Sequence, residues 1–505
     1  MGREITADIV ILGAGPGGGA AAYALKDSGA DVLLVERGGF LPLEPANWDA
    51  KAVFGQGRYK TSEHWFDTVR GGVYRPGNHY WVGGQTKMYG ANLQRLRLED
   101  FDALEHHGGT SPAWPIRYEE LEPFYAEAEA LFAVRGAAGI DPTEPPRSTP
   151  FPYPPIPHEA TIQALVEALT KQGLRPHPLE MAIHWNASGC NPEIPCTGCD
   201  GFPCMVGGKA DAETECIRPA LASPTVRLMT HTHVHRLRTT PGGHRVQSVE
   251  ASHRGDKLTI KASRFVLACG AANSPVVLLR SQDASWPEGL GNRHDQVGRY
   301  YMLQNQSALM AVDPRRKTSL TMQKTVGVHD FLFSTPEMPY PAGALQTLGK
   351  LTASMLQADK RFLPPWLLKS LAERSIDWWM TSEELPDPNN RVRLGKGTRI
   401  EITWRPNNEG AHDRLVAQAK RMMRRAGYPL VFHKRFGIAA NAHQCGTLRM
   451  GTDPASSVCD ADGRVHGLEN LYVADASLFP SSTAMAPTLT LVALSLRLGR
   501  HLAGA

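Results

Sequence analysis

An α/β fold, α+β overall, is what this chain of 505 residues predicts, and three observations carry the expectation. A short β-branched run, residues 7–12, flows directly into Gly13-x-Gly15-x-x-Gly18 and a helix of small residues. A second apolar run, residues 32–35, ends in Glu36, 23 positions after Gly13. Far downstream, Phe265-Val266-Leu267-Ala268 repeats the strand pattern and opens through Gly270 into an apolar helix. Strand, glycine-rich turn, helix and acidic strand end in this order spell a Rossmann-like unit.

Each part has a physical reason. Gly13 permits the tight turn, Gly15 lets backbone approach a pyrophosphate, and Gly18 lets the helix pack on the sheet. The helix start supplies unpaired N–H donors and the positive end of its dipole, both suited to phosphate. Glu36 is placed to accept hydrogen bonds from ribose hydroxyls. The unit therefore predicts dinucleotide binding, without separating FAD from NAD.

Composition narrows the class. With 42% hydrophobic and 21% charged residues the chain can bury a large core and is no disordered or fibrous protein. Fifty-four Lys and Arg against 50 Asp and Glu, spread along the chain, give no nucleic-acid footprint. The apolar runs fall short of a membrane span, and the opening residues carry no secretory pattern, so a cytoplasmic protein is expected.

Several further segments recur in one order. They are Val82–Gly90 after His79-Tyr80-Trp81, then residues 270–281, with Gln282 where glycine is usual. Gly291-Asn292, residues 296–300 and residues 385–392 follow. Residues 443–451, 470–477 and 487–490 complete the set. With these segments the chain resembles the glucose–methanol–choline family of flavin oxidoreductases.

The resemblance implies a Rossmann-like FAD-binding domain from residues 1–100, 205–308 and 436–505. A mostly antiparallel substrate or cap domain would come from 101–204 and 309–435. Gly13, Gly15, Gly18 and Glu36 would hold the ADP half, and Gly83, Gly84 and Thr86 would lie along the pyrophosphate and flavin. Val234 would meet adenine through its backbone. Asp475 and Ala476 would meet the ribityl and pyrophosphate, and Pro487 and Thr488 the pyrimidine edge. Where some relatives attach FAD through a histidine this chain has Met88, so the FAD is expected to be non-covalent. Ser62-Glu63-His64-Trp65 precedes the glycine pair and is read as coincidence.

By the same resemblance His443 is the base that takes a hydroxyl proton while a hydride passes to flavin N5, an alcohol oxidation, with a sugar, glycoside or aminosugar as the expected substrate. A second polar residue usually precedes the proline at 487; here Ala486 stands there, and Asn441, Ser482 and Thr483 are candidates to replace it. Two other readings stay open: a lyase with structural FAD, and the flavin subunit of a multiprotein dehydrogenase with an electron-acceptor protein. Cys190, Cys196, Cys199 and Cys204 crowd into 15 residues. That spacing suits an iron–sulfur cluster or zinc, with disulfides or thiols as the alternatives. Trp81, Tyr89, Trp366, Trp378 and Trp379 are candidates to stack on sugar rings.

Overall fold

The structure, a computed structural model, describes residues 3–186, 190–191, 198–318, 320–336, 338–440 and 443–504. Cys196 and Asn441 lie outside the described residues.

The first sheet has seven strands. Val226–Met229, Val32–Val35, Arg3–Leu12 and Asp256–Leu267 lie side by side in parallel, and Leu471–Val473 joins Asp256–Leu267, also in parallel. Its central strands are buried on both faces, which is why Ile9–Leu12 and Val32–Val35 read as unbroken apolar runs. The long strand Asp256–Leu267 changes neighbour along its length. Its first half pairs antiparallel with Val246–His253, and its second half with Leu471–Val473. A two-residue turn, Arg254-Gly255, closes that hairpin with both residues at positive φ, matching the twist of the strands.

Two helices cover one region of this sheet. Pro16–Leu25 begins directly after the glycine turn, and Thr488–Ala503 packs against it. The approach is close: a Cβ on Gly499 would lie 2.5 Å from that of Ala24.

The second sheet has six strands, all antiparallel. In spatial order they are Leu430–Arg435, Asn305–Val312, Ser375–Ser382, Ala344–Thr347, Val326–Val328 and His177–Pro178. Helix Glu409–Arg425 buries Leu415, Val416, Ala419, Met422 and Met423 against it. Arg421, Arg424 and Arg425 lie exposed on its outer face. A smaller sheet joins Trp65–Asp67 and Gly72–Tyr74 to Arg391–Leu394 and Ile400–Thr403. It thus ties a segment expected in the cofactor domain to one expected in the cap. Among the described residues no helix is long and apolar enough to cross a membrane.

Candidate active site

A cavity of about 920 Å³ lies between the parallel sheet and the antiparallel one. Gly13, Gly15, Glu36, Gly84, Thr86, Val234, Asp475, Ala476, Pro487, Thr488 and His443 all line it. Gly18 and Gly83 do not, and the reason is packing. A Cβ on Gly18 would fall 1.9 Å from the Gly13 carbonyl oxygen, so its glycine serves the helix–strand contact. Gly83 sits at φ 94° against Glu213 and Lys87, and its N–H donates to Ala14 O at 2.7 Å.

The glycine turn divides by function. Gly13, at φ 117°, has the Ala268 carbonyl oxygen 2.2 Å from where a Cβ would be. Gly15 has nothing within 4 Å of that point and faces open space. Gly17, missed in the sequence, would place a Cβ 1.7 Å from the Ala474 carbonyl oxygen, so the helix lies flush against the Ala474–Asp475 turn. Glu36 accepts from Ala14 N–H and Gly38 N–H, both at 2.9 Å, and burial raises its pKa. Asp475 accepts from Gly270 N–H at 2.9 Å and Ser274 Oγ at 2.5 Å through one oxygen. Its other oxygen accepts from Ser477 N–H at 2.9 Å. Strand ends distant in sequence are thereby locked into one rim. Beside Glu36, Arg37 pairs with Glu63 at 2.5 Å and its guanidinium stacks 4.0 Å over Tyr80, whose hydroxyl donates to Glu63. Glu63 lines the cavity here, although its sequence neighbourhood gave no reason to place it there.

At the other end His443 is half-buried. The surrounding protein, and then the charge of Lys324, push its pKa down to about 4. Its Nδ1 lies 2.8 Å from Gln304 Oε1 and 2.8 Å from Gln306 Nε2. Neither glutamine was singled out from sequence: Gln306 is the second residue of strand Asn305–Val312, and Gln304 stands just before it at φ 63°, a conformation that leaves no pattern in the sequence. Ala486 lines the cavity. Ser482 and Thr483 do not. Ser482 Oγ is spent on the Glu384 backbone, and Thr483 Oγ1 accepts from Met485 N–H at 3.2 Å. The expectation that either replaces the missing polar group is corrected accordingly.

The cap side presents Trp379, Phe436, Met310, Gln346 and the pair Lys324–Asp200, 2.5 Å apart. Trp379 and Phe436 stand 4.9 Å apart, ring centre to ring centre. Alternation along Ser375–Ser382 sends Trp378 into the core and Trp379 to the cavity. Trp81 and Tyr89 line the cavity; Trp366 is 71% exposed and does not.

The metal expectation is not supported. Among the described residues, Cys190, Cys199 and Cys204 belong to no group of three or more converging metal-ligand atoms. The buried ammonium of Lys209 gathers that loop instead, donating to the carbonyls of Lys87, Tyr89, Cys199 and Phe202 at 2.7–3.3 Å. Cys204 Sγ accepts from Lys209 N–H at 3.4 Å. A group of ligand type does occur elsewhere, Asp141, His177 and His329. There Arg97 Nη2 stands 2.5 Å from Asp141 Oδ2 and 3.1 Å from His329 Nδ1, so a guanidinium already fills the cation's place.

A glycine turn at the carboxyl edge of a parallel sheet, facing a cavity roofed by a second sheet, defines a dinucleotide-cofactor enzyme. The chain belongs to the GMC oxidoreductase family, whose models match residues 81–305 and 386–495. It is 30% identical to paromamine 6'-oxidase of Streptomyces fradiae over 98% of this chain and 91% of that protein. The 6'''-hydroxyparomomycin C oxidase of Streptomyces lividus gives the same figures: 30%, 98% and 91%. In fold it resembles the crystal structure of pyridoxine 4-oxidase from Mesorbium loti, with TM-score 0.69 and 20% identity over 99% of both chains. GMC oxidoreductases bind FAD. The donor set here fits that group: an open glycine backbone at Gly15, two helix starts at Pro16 and Thr488, and a buried carboxylate at Glu36.

Proposed function

We propose that this oxidoreductase acts on an alcohol carbon of a sugar-like molecule, an aminosugar or glycoside in particular, with a dissociable FAD in the cavity. The observation that carries the reading is the continuity of one cavity from the Gly13–Gly15 turn to His443 beneath an aromatic and polar cap. When bound, FAD would supply the acceptor for the hydride, which carries both electrons from the carbinol carbon. Gly13, Gly15 and Glu36 would hold its ADP half, with Gly18 keeping the helix in place. Gly84, Thr86, Asp475 and Ala476 would line its middle, and Pro487 and Thr488 the far ring edge. Met88 offers no atom for a covalent link.

With its pKa well below the ordinary 6.5, His443 is neutral at pH 7 and can take the hydroxyl proton, as a weaker base than an ordinary imidazole. Trp379 and Phe436 offer apolar faces to a sugar ring and keep water from the carbinol. Lys324 and Gln346 present donors to its hydroxyls. The names of the two Streptomyces relatives, both aminoglycoside oxidases, support an aminosugar as the first molecule to try.

The test is anaerobic mixing of the yellow protein with paromamine, free hexoses and glycosides. Bleaching of the flavin band identifies the donor, and recovery in air marks an oxidase. A flavin that no alcohol bleaches would overturn the reading in favour of a lyase. Acid precipitation should leave the yellow colour in the supernatant; colour in the pellet would overturn the non-covalent assignment.

A further inference from the structure

The side chain of Gln304 is pinned at one end and aimed at the other. The two N–H groups of its Nε2 serve three backbone carbonyls, one proton being shared: those of Ser482 at 3.0 Å, Thr483 at 3.1 Å and Met485 at 2.8 Å. An amide surrounded in this way has one orientation. Turned over, its oxygen would face three carbonyl oxygens at hydrogen-bond distance with no proton between them. The Oε1 end is therefore the end that meets His443 Nδ1 at 2.8 Å. A carbonyl oxygen has only lone pairs, so a contact this short requires the imidazole to donate, and Nδ1 must carry the proton.

Gln306 adapts to this arrangement. Its amide end lies 2.8 Å from the same Nδ1 and 3.3 Å from Gln304 Oε1. Among the described residues its side-chain amide meets no third polar group, so turning its oxygen toward the Nδ1 proton gives up one long donor contact, that of 3.3 Å to Gln304 Oε1. Backbone strain marks the same bridge from both sides. Gln304 is held at φ 63° and Thr483 at φ 47°, the left-handed region that side chains with a Cβ adopt only when the surroundings compel it. Gln304 is 1% exposed.

We propose that Gln304 is a positioning residue that fixes His443 as its Nδ1–H tautomer, so that Nε2 is the ring's proton acceptor. The same amide locks the ring to the loop that carries Ala486. In the balanced step the alcohol O–H bond breaks and its proton joins His443 Nε2, making an imidazolium whose Nδ1–H stays bonded to Gln304. The chemistry that FAD would supply when bound is uptake of the hydride from the carbinol carbon, which would leave a carbonyl product. This inference rests on the reading of His443 as the base, and the two are separable by experiment.

Neutron diffraction from the deuterium-exchanged, FAD-loaded enzyme near pH 8 reads the tautomer directly. A deuteron on Nδ1 directed at Gln304 Oε1 is expected; a deuteron on Nε2, or on both nitrogens, overturns the inference. A double-mutant cycle adds the functional half, with anaerobic flavin reduction by paromamine or D-glucose as readout. Gln304→Met should slow reduction by about 3- to 10-fold, the range one lost hydrogen bond covers, with KM little changed. In a His443→Ala background it should change nothing further. An equal loss in both backgrounds would show that Gln304 only braces the 482–485 loop, and would also overturn the inference. If His443→Ala alone leaves the rate intact, the base reading fails, while the neutron map still decides the tautomer. The map also decides should Gln304→Met fail to retain FAD.

Discussion

The acid limb of the pH profile puts His443 to its hardest test. An ordinary imidazole gains its proton near pH 6.5, whereas this one sits at about 4, because burial strips water from the imidazolium and Lys324 repels it. A base must be neutral, and its neutral fraction falls as the pH drops through the pKa. At pH 5.5 an ordinary imidazole is only about 9% neutral, while one at about 4 is about 97% neutral. Relative to its own plateau at neutral pH, the rate therefore falls about tenfold in the first case and hardly at all in the second. Stopped-flow reduction of the flavin at saturating donor, from pH 8 down to 4, measures this. The rate should hold level to about pH 5 and turn down only near 4. A limb centred near 6.5 would refute the reasoning, as would an unchanged limb in His443→Ala. Lys324→Met removes the repulsion and should move the limb upward. Folding carries the same sign: between about pH 4 and 6.5 the unfolded chain's imidazole binds a proton that the folded one refuses. Its contribution to stability is whole above 6.5 and shrinks as the pH falls toward 4.

His443→Ala should slow flavin reduction by at least about a hundredfold at neutral pH, in stopped flow, without releasing FAD. Gly15→Leu and Gly17→Ala should fail in opposite ways. A leucine side chain placed at Gly15 would enter open space, so the fold should melt normally while the flavin absorbance per chain is lost. At Gly17 the added methyl meets the Ala474 carbonyl oxygen at 1.7 Å and should cost about 3 kcal/mol of stability in urea unfolding. Lys209→Met abandons four buried carbonyls and should cost about 3 kcal/mol, read as a lowered Tm. An unchanged Tm would show that the loop holding Cys199 and Cys204 is organised by something else.

The parts of this protein legible in the sequence are those where one residue type answers one local demand. The Gly13–Gly18 turn is such a case, since φ 117° and a carbonyl 2.2 Å from the missing Cβ leave glycine as the only occupant. Val32–Val35 is another: burial on both faces forces an unbroken apolar run, and the strand has the bounds the pattern predicts. The third sheet was not legible, because it pairs Glu401 and Ile402 with Phe66 and Asp67, and such register between distant segments leaves no mark in either one. The cysteine spacing was ambiguous, because close thiols fit a metal and fit a tight loop equally well, and the described residues do not support the metal. Lys209 was not legible there either, because its ammonium gathers the loop through carbonyls that carry no side-chain signature. His443 is the instructive middle case. The family pattern marks the imidazole, but the pattern is silent on which nitrogen holds the proton. That depends on an amide 139 residues earlier in the chain and on three carbonyls from a loop some 40 residues later. Motifs therefore mark the candidate reacting groups, while the groups proposed to set their protonation are recruited through backbone atoms, which every residue possesses and no sequence advertises.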